Sequence, residues 1–290
     1  MKSPELLLPA GGLERMRTAF DYGADAVYAG SPRYSLRARN NEFAKLDVLE
    51  TGIREAHERR KKFFLTVNTL PHNSKLKTFM SDMEPLIKMK PDARIMADPG
   101  LIMNVRERWP EMPIHLSVQA NTTNYWGVEF WQKMGVERII LSRELSIEEI
   151  AEIRQECPDI EIEVFVHGAL CIAYSGRCLL SGYFNHRDPN QGTCTNACRW
   201  DYKVHEAGDS DAGDAQLLSG FNFNQAQEEA NSAFEGINGQ VRHPAADKVF
   251  LIEEDNRPGE LMPIMEDEHG TYIMNSKDLR AIEQVAKLVE

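Results

Sequence analysis

The chain has 290 residues, a formal net charge of −12 and 42% hydrophobic residues, enough for a sizeable core in one large domain or one domain plus an appendage. It holds no apolar run long enough to cross a membrane. Its start, Met1-Lys2-Ser3-Pro4-Glu5, lacks the basic and then apolar layout of a secretory signal, so a soluble, cytoplasmic chain is expected. The negative charge disfavours broad, nonspecific binding to nucleic acid but leaves room for RNA on a local basic face. Arginines gather at Arg33, Arg37 and Arg39 and again at Arg177, Arg187 and Arg199, a pattern that solvated surface charge explains equally well.

In chain order, short apolar runs at 5–9, 26–30, 63–68, 94–98, 114–119, 138–142 and 161–167 read as strands. Between them, stretches at 13–22, 46–60, 76–89, 100–109, 124–134 and 146–156 carry apolar residues three and four apart among strong helix formers. Ser146 followed by Glu149 is a capping box. Strand and helix alternating at this pace predict an α/β fold with a parallel sheet covered by helices. The first strand runs into Pro9-Ala10-Gly11-Gly12, which is not a dinucleotide fingerprint, and no P-loop occurs. The predicted strands end instead on or near Asn68, Asp98, Gln119, Arg143 and His167. Polar groups at successive strand ends suit the mouth of a (β/α) TIM-barrel-like fold better than an open doubly wound sheet.

The rhythm then breaks. Residues 204–247 are rich in Gly, Ala, Asn, Gln, Asp and Glu, with no Lys or Arg between Lys203 and Arg242, and read as a flexible acidic insertion between barrel-like parts 1–203 and 248–290. Order is expected again at 248–253, at 270–275 after a turn near Glu268-His269-Gly270, and in a helix over 278–289. That helix would ordinarily feed another strand, so an incompletely closed barrel is expected unless another element covers its edge.

The stretch from Glu163 to Trp200 carries the chemistry. Cys171, Cys178, Cys194 and Cys198 follow a C-x6-C-x15-C-x3-C spacing among glycines that permit tight turns. In a reducing compartment, grouped cysteines read as metal ligands before disulfides. Four thiolates suit a [4Fe–4S] cluster or zinc; the wide first pair departs from the paired C-x2-4-C of zinc ribbons and favours the cluster. Cys157, before Pro158 at a helix end, reads as a packing residue. Ser175 and Ser181 sit in no G-x-S-x-G elbow, and no H-E-x-x-H occurs.

Glu163-x-Phe165-x-x-Gly168-Ala169-Leu170-Cys171-x4-Gly176-x-Cys178-x-Leu180-Ser181 resembles in full the signature of the collagenase-like U-thirty-two peptidase family. The opening Pro4-Glu5-Leu6-Leu7, the run Gly23-Ala24-Asp25-Ala26-Val27-Tyr28-Ala29-Gly30 and Ser276-Lys277-Asp278-Leu279 resemble it too. Arg33-Tyr34-Ser35-Leu36-Arg37, Asn40-Asn41-Glu42-Phe43, His115–Asn121 and Arg187–Cys194 look closest to the branch of that family that modifies tRNA. That resemblance implies oxygen-independent 5-hydroxylation of the wobble uridine of certain tRNAs, with prephenate as co-substrate and a [4Fe–4S] cluster. Relatives in that branch continue with a further strand and an extra domain, which makes this chain look shortened at its C-terminus.

On this reading Cys171, Cys178, Cys194 and Cys198 hold the cluster, and four thiolates leave no open iron, which favours outer-sphere electron transfer. Arg37, Arg39 or Arg143 would fork onto the carboxylates of prephenate. His167, Asn68 and Gln119 are the catalytic candidates, and Asn121 a further contact for the uracil edge or the oxygen donor. Tyr34, Tyr174 and Trp200 could stack on an unpaired base, although each aromatic by itself reads rather as a packing residue. Two alternatives stay open. One is a hydrolase in line with the family's name, for which His167 with Cys171 is the near-neighbour pair; the other is a non-catalytic iron–sulfur binding module.

Overall fold

The computed structural model describes residues 4–36, 38, 41–169, 178, 181, 194, 195, 197, 200, 202–209, 215–218, 249–254, 258–259, 261–267, 270–271 and 278–289. By Cα packing the chain forms two compact units, residues 1–197 with 276–290, and residues 198–275.

The larger unit opens with six strand–helix pairs and a seventh strand: β1 (Leu7–Pro9), α1 (Leu13–Asp21), β2 (Ala26–Gly30), α2 (Leu46–Glu58), β3 (Lys62–Val67), α3 (Asn73–Lys88), β4 (Ala93–Met96), α4 (Pro99–Arg108), β5 (Ile114–Leu116), α5 (Tyr125–Lys133), β6 (Arg138–Ile140), α6 (Ile147–Glu156) and β7 (Glu161–Glu163). Side-chain alternation splits each strand between two layers. Val27, Phe63, Leu65, Val67, Met96, Leu116 and Ile139 pack with helix residues such as Met16, Ile53, Met83 and Ile102. Ala26, Phe64, Ala93, Ile95 and Ile140 form a second cluster on the opposite face. Helix ends follow local chemistry: the Asp98 carboxylate accepts the Leu101 N–H at 2.9 Å to start α4, and Ser146 with Glu149 forms the expected capping box at α6.

The seven parallel strands pair strictly in sequence order, β1 to β7. That is the order of a singly wound barrel, not of a doubly wound sheet, whose order reverses at a switch point. A flat sheet would hold β1 and β6 roughly 24 Å apart, five spacings of about 4.8 Å. Yet Arg138 on β6 donates to the Glu5 carboxylate just before β1 at 2.7 Å. The sheet is therefore curled, and the fold is TIM-barrel-like and partial.

Two expectations for the rest of this unit need correction. The strand expected over 161–167 divides into β7 and a separate β8 (His167–Ala169). The helix expected over 278–289 begins instead as β14 (Asp278–Arg280), antiparallel to β8 with Asp278 opposite Ala169 and Arg280 opposite His167. Only Val285–Val289, α7, is α-helical. The reason is non-local: strand partners more than a hundred positions away do not register in a helix-period pattern.

The smaller unit holds an antiparallel sheet in the order β10-β9-β11-β12-β13, built from β9 (Tyr202–Asp209), β10 (Ala215–Leu218), β11 (Val249–Glu254), β12 (Leu261–Asp267) and β13 (Gly270–Thr271). Phe250, Leu251 and Ile252 of β11 are buried. The domain boundary expected at residue 203 thus falls inside β9, and β10 lies within the stretch read as an insertion. The expected strand at 248–253 is β11; of 270–275, residues beyond 271 lie outside the described ones. No helix among the described residues is long and apolar enough to cross a membrane.

One buried group stands out. Arg94 of β4 is fully buried, and Nε, Nη1 and Nη2 have no hydrogen-bond partner among the described residues. Burial alone pushes its pKa down to about 9. An apolar side chain of similar length removes that desolvation cost. Arg94→Met is expected to raise the unfolding free energy by about 1–4 kcal/mol in urea denaturation. A loss of stability would show instead that a partner compensates the guanidinium.

Candidate functional site

Because the strands are parallel, their C-terminal ends share one rim, the usual site of chemistry in such barrels. The rim is held by side-chain bonds between loops. Asn68, just past β3, accepts the Leu36 N–H on Oδ1 at 3.3 Å and donates from Nδ2 to Ser117 Oγ at 3.2 Å. Ser117 Oγ also accepts the Gln119 N–H at 3.3 Å, capping a 3-10 turn over Val118–Ala120. Asn121 follows with φ 55° and ψ 54°, a left-handed conformation that asparagine tolerates better than most residues. Its Oδ1 accepts the Ser142 hydroxyl at 3.0 Å, tying the loop after β5 to the end of β6. Asn41 donates to the Gly30 carbonyl and caps the turn over Glu42–Ala44. Leu36 and Asn41 are thus each held by a side-chain bond; Arg37, Arg39 and Tyr174 lie outside the described residues.

The remaining candidates differ in commitment. The side-chain amide of Gln119, half-buried at the rim, makes no hydrogen bond among the described residues, nor does Nδ2 of Asn121. Arg143 lies with its guanidinium carbon 3.8 Å from the centroid of the Phe165 ring, a stacked pair that fixes the plane of the fork. His167 presents an exposed side chain from β8. Of its two readings Tyr34 takes the packing one: it is 1% exposed, its ring packs edge-on against Phe79 at 4.9 Å and its hydroxyl donates to Asp82 at 2.7 Å, so it is a core anchor and not a base-stacking platform.

Of the cysteine stretch, Cys171 and Cys198 lie outside the described residues; Cys178 is half-buried and Cys194 exposed. Ser181, 2% exposed, accepts the Thr195 N–H at 3.1 Å and contacts the Thr195 hydroxyl at 3.0 Å. This places Thr195, the residue after Cys194, against Ser181, three positions past Cys178. Among the described residues no three His, Cys, Asp or Glu side chains gather as a metal site. Cys157 stands apart as expected, buried, with its thiol facing the Tyr125 carbonyl at 3.6 Å.

Residues 11–290 match the profile of peptidase family U32. The chain belongs to that family. Over its full length it is 61% identical to tRNA hydroxylation protein P of Escherichia coli strain K12, and over 98% of its length 62% identical to the protein of that name from Haemophilus influenzae. It covers 62% and 60% of those two relatives, so it spans about three fifths of their length. Among solved structures it resembles the U32 peptidase Mk0906, with a TM-score of 0.53 and 14% identity over 68% of this chain and 83% of that one, which supports the fold alone.

At the opposite pole this U32 chain carries a charge network that sequence reading missed. Arg138, with a side chain 9% exposed, donates to Glu161 at 2.6 and 2.9 Å, to Glu5 at 2.7 Å and to Glu163 at 3.4 Å, while Lys62 pairs with Glu5 at 2.6 Å. Burial pushes the Glu163 carboxyl up to about 7 against the pull of Arg138. Burial also opposes ionisation of Glu5, but bonds from Arg138 and Lys62 outweigh it and lower its pKa. His115, edge-on to Phe64 at 4.7 Å, is pushed down to about 3 by burial first and by Arg138 next, so it stays neutral. Arg138, Glu161, Lys62, His115 and Phe64 line an open cleft of about 580 Å³. Polar clusters at the N-terminal ends of barrel strands read as stability elements. The signal available in sequence was the Glu161, Glu163 alternation, which puts two acids on one strand face.

Proposed function

We propose that this chain forms the core of an RNA-modifying enzyme that adds a hydroxyl at C5 of a tRNA uridine, with prephenate as the oxygen source. The observation that carries the reading is the 61% identity, along the whole chain, to a protein named for tRNA hydroxylation. The polar rim agrees with it. Gln119 and Asn121 offer amide groups to a uracil edge, Arg143 stacks on Phe165 at the rim, and Arg37 and Arg39 remain candidates for a carboxylate. Cys171, Cys178, Cys194 and Cys198 would hold a [4Fe–4S] cluster, which when bound supplies one-electron chemistry. Tethering the rim loops through Asn68, Ser117 and Ser142 keeps these groups in place before substrate arrives, which lowers the cost of ordering them.

The test is direct. The anaerobically purified chain is incubated with tRNA from cells unable to hydroxylate uridine, with and without prephenate, and the nucleosides are examined by mass spectrometry. A uridine heavier by one oxygen, formed only with prephenate, is expected. A cluster-loaded chain that yields none would overturn the reading and leave a binding role.

A further inference from the structure

We infer that Asn68 is a positioning residue that couples two rim loops, and not a group that reads the substrate. The inference rests on placing the site at this rim. Both ends of the side-chain amide are engaged with the protein, Oδ1 by the Leu36 N–H and Nδ2, through one of its two N–H groups, with Ser117 Oγ, which fixes the plane of the amide. The assignment of oxygen and nitrogen follows from the network, because a backbone N–H needs an acceptor. β3 and β5 are not neighbours; β4 lies between them. Two strand spacings are roughly 10 Å, yet the side chains beyond β3 and β5 meet at 3.2 Å. Asn68 and Ser117 therefore converge across the end of β4 and form a strut over the inner face of the curled sheet.

Each end of the strut acts on a candidate substrate group. Leu36 is the residue before Arg37, so Asn68 fixes the backbone that leads up to it. Ser117 caps the turn that carries Gln119 and leads into the left-handed Asn121. A displacement at Asn68 reaches both loops at once, whereas Gln119, whose amide is uncommitted, acts alone.

Two readouts test this. The first does not depend on activity: hydrogen exchange at the Leu36 amide is expected to accelerate at least about 10-fold in Asn68→Leu and to stay unchanged in Gln119→Ala. The second is kinetic. Asn68→Leu and Ser117→Ala are each expected to lower kcat/KM about 10-fold to 100-fold, mostly through KM. The double variant is expected to lose no more than the worse single one, because both break the same strut. Asn68→Asp, which keeps an acceptor for Leu36 and lets the Ser117 hydroxyl donate instead, is expected to recover activity to within a few-fold. Unchanged Leu36 exchange in Asn68→Leu overturns the strut. So does an Asn68→Asp variant that keeps Leu36 protected yet is as inactive as Asn68→Leu, the mark of direct substrate contact. If the unaltered chain hydroxylates nothing, the proposed function fails while Leu36 exchange still decides the strut.

Discussion

Replacing Arg138 with methionine is expected to lower the unfolding free energy by about 3–5 kcal/mol at neutral pH, the scale of breaking a buried ion pair from one side. Three carboxylates lose their common partner. Glu161, with a side chain 62% exposed, turns to water at little cost. Glu5, 22% exposed and held ionised by its partners, does not, and it carries most of the loss, whereas Glu163, already raised to about 7 by burial, answers by taking up a proton. Arg138→Lys is expected to restore only part, because a single ammonium cannot fork between Glu161, Glu5 and Glu163. Urea denaturation measures both; a loss below about 1 kcal/mol would mean that the carboxylates are already well hydrated.

The same network sets a pH dependence. The Glu163 pKa is raised from the ordinary 4.5 to about 7, so in that window the folded chain binds a proton that the unfolded chain has lost. Its contribution is present in full below about 4.5 and disappears as pH rises through about 7, with a slope of at most about 1.4 kcal/mol per pH unit. Glu5, with its pKa lowered, works in the opposite sense and loses its contribution as pH falls. Glu163→Gln is expected to flatten the decline between pH 4.5 and 7 while leaving the acid limb intact.

Replacing Cys178 or Cys194 with serine is expected to remove iron and acid-labile sulfide from anaerobically purified protein and to lower hydroxylation on the order of 100-fold or more. Even residues that only orient a ligand cost about 10–100-fold when changed, and removal of a ligand costs no less. Cys157→Ser is the control: this thiol is 3% exposed, burial raises its pKa, and it meets a backbone carbonyl, so its loss is expected to leave the iron content unchanged. Full iron in Cys178→Ser would dismiss that residue from the ligand set. Zinc in place of iron in the unaltered chain would dismiss the redox reading.

The β/α alternation was legible because each helix announces itself locally. Met16, Ala19 and Phe20 of α1, or Leu49, Ile53 and Ala56 of α2, recur at three and four positions, and Ser146 with Glu149 marks a helix start in four letters. Asp278–Arg280 was misread as helix because its state is decided by β8, far away in sequence. Strands β9 and β10 were obscured in the same way: composition speaks of flexibility, while pairing with β11 makes Tyr202–Asp209 a strand. Residue types at strand ends put Asn68, Gln119 and Arg143 just past β3, β5 and β6, but did not show which groups were already engaged. Asn68 and Gln119 look alike in sequence, and only the positions of Leu36 and Ser117 separate them. Tyr34 was open to stacking or packing until Asp82 and Phe79 supplied its partners.

The strict β1 to β7 order bears on how the chain reaches its native state. Each strand of that sheet pairs with the one made just before it, across a crossover that carries one helix, so each pairing can form once the next strand is synthesised. Such wiring favours stepwise assembly from the N-terminus during translation. The β8–β14 ribbon is the reverse case: Ala169 must wait for Asp278 to be synthesised. The curled sheet is thus expected to stand on the ribosome before Cys194 and Cys198 emerge, so that a cluster would be inserted into a scaffold already folded.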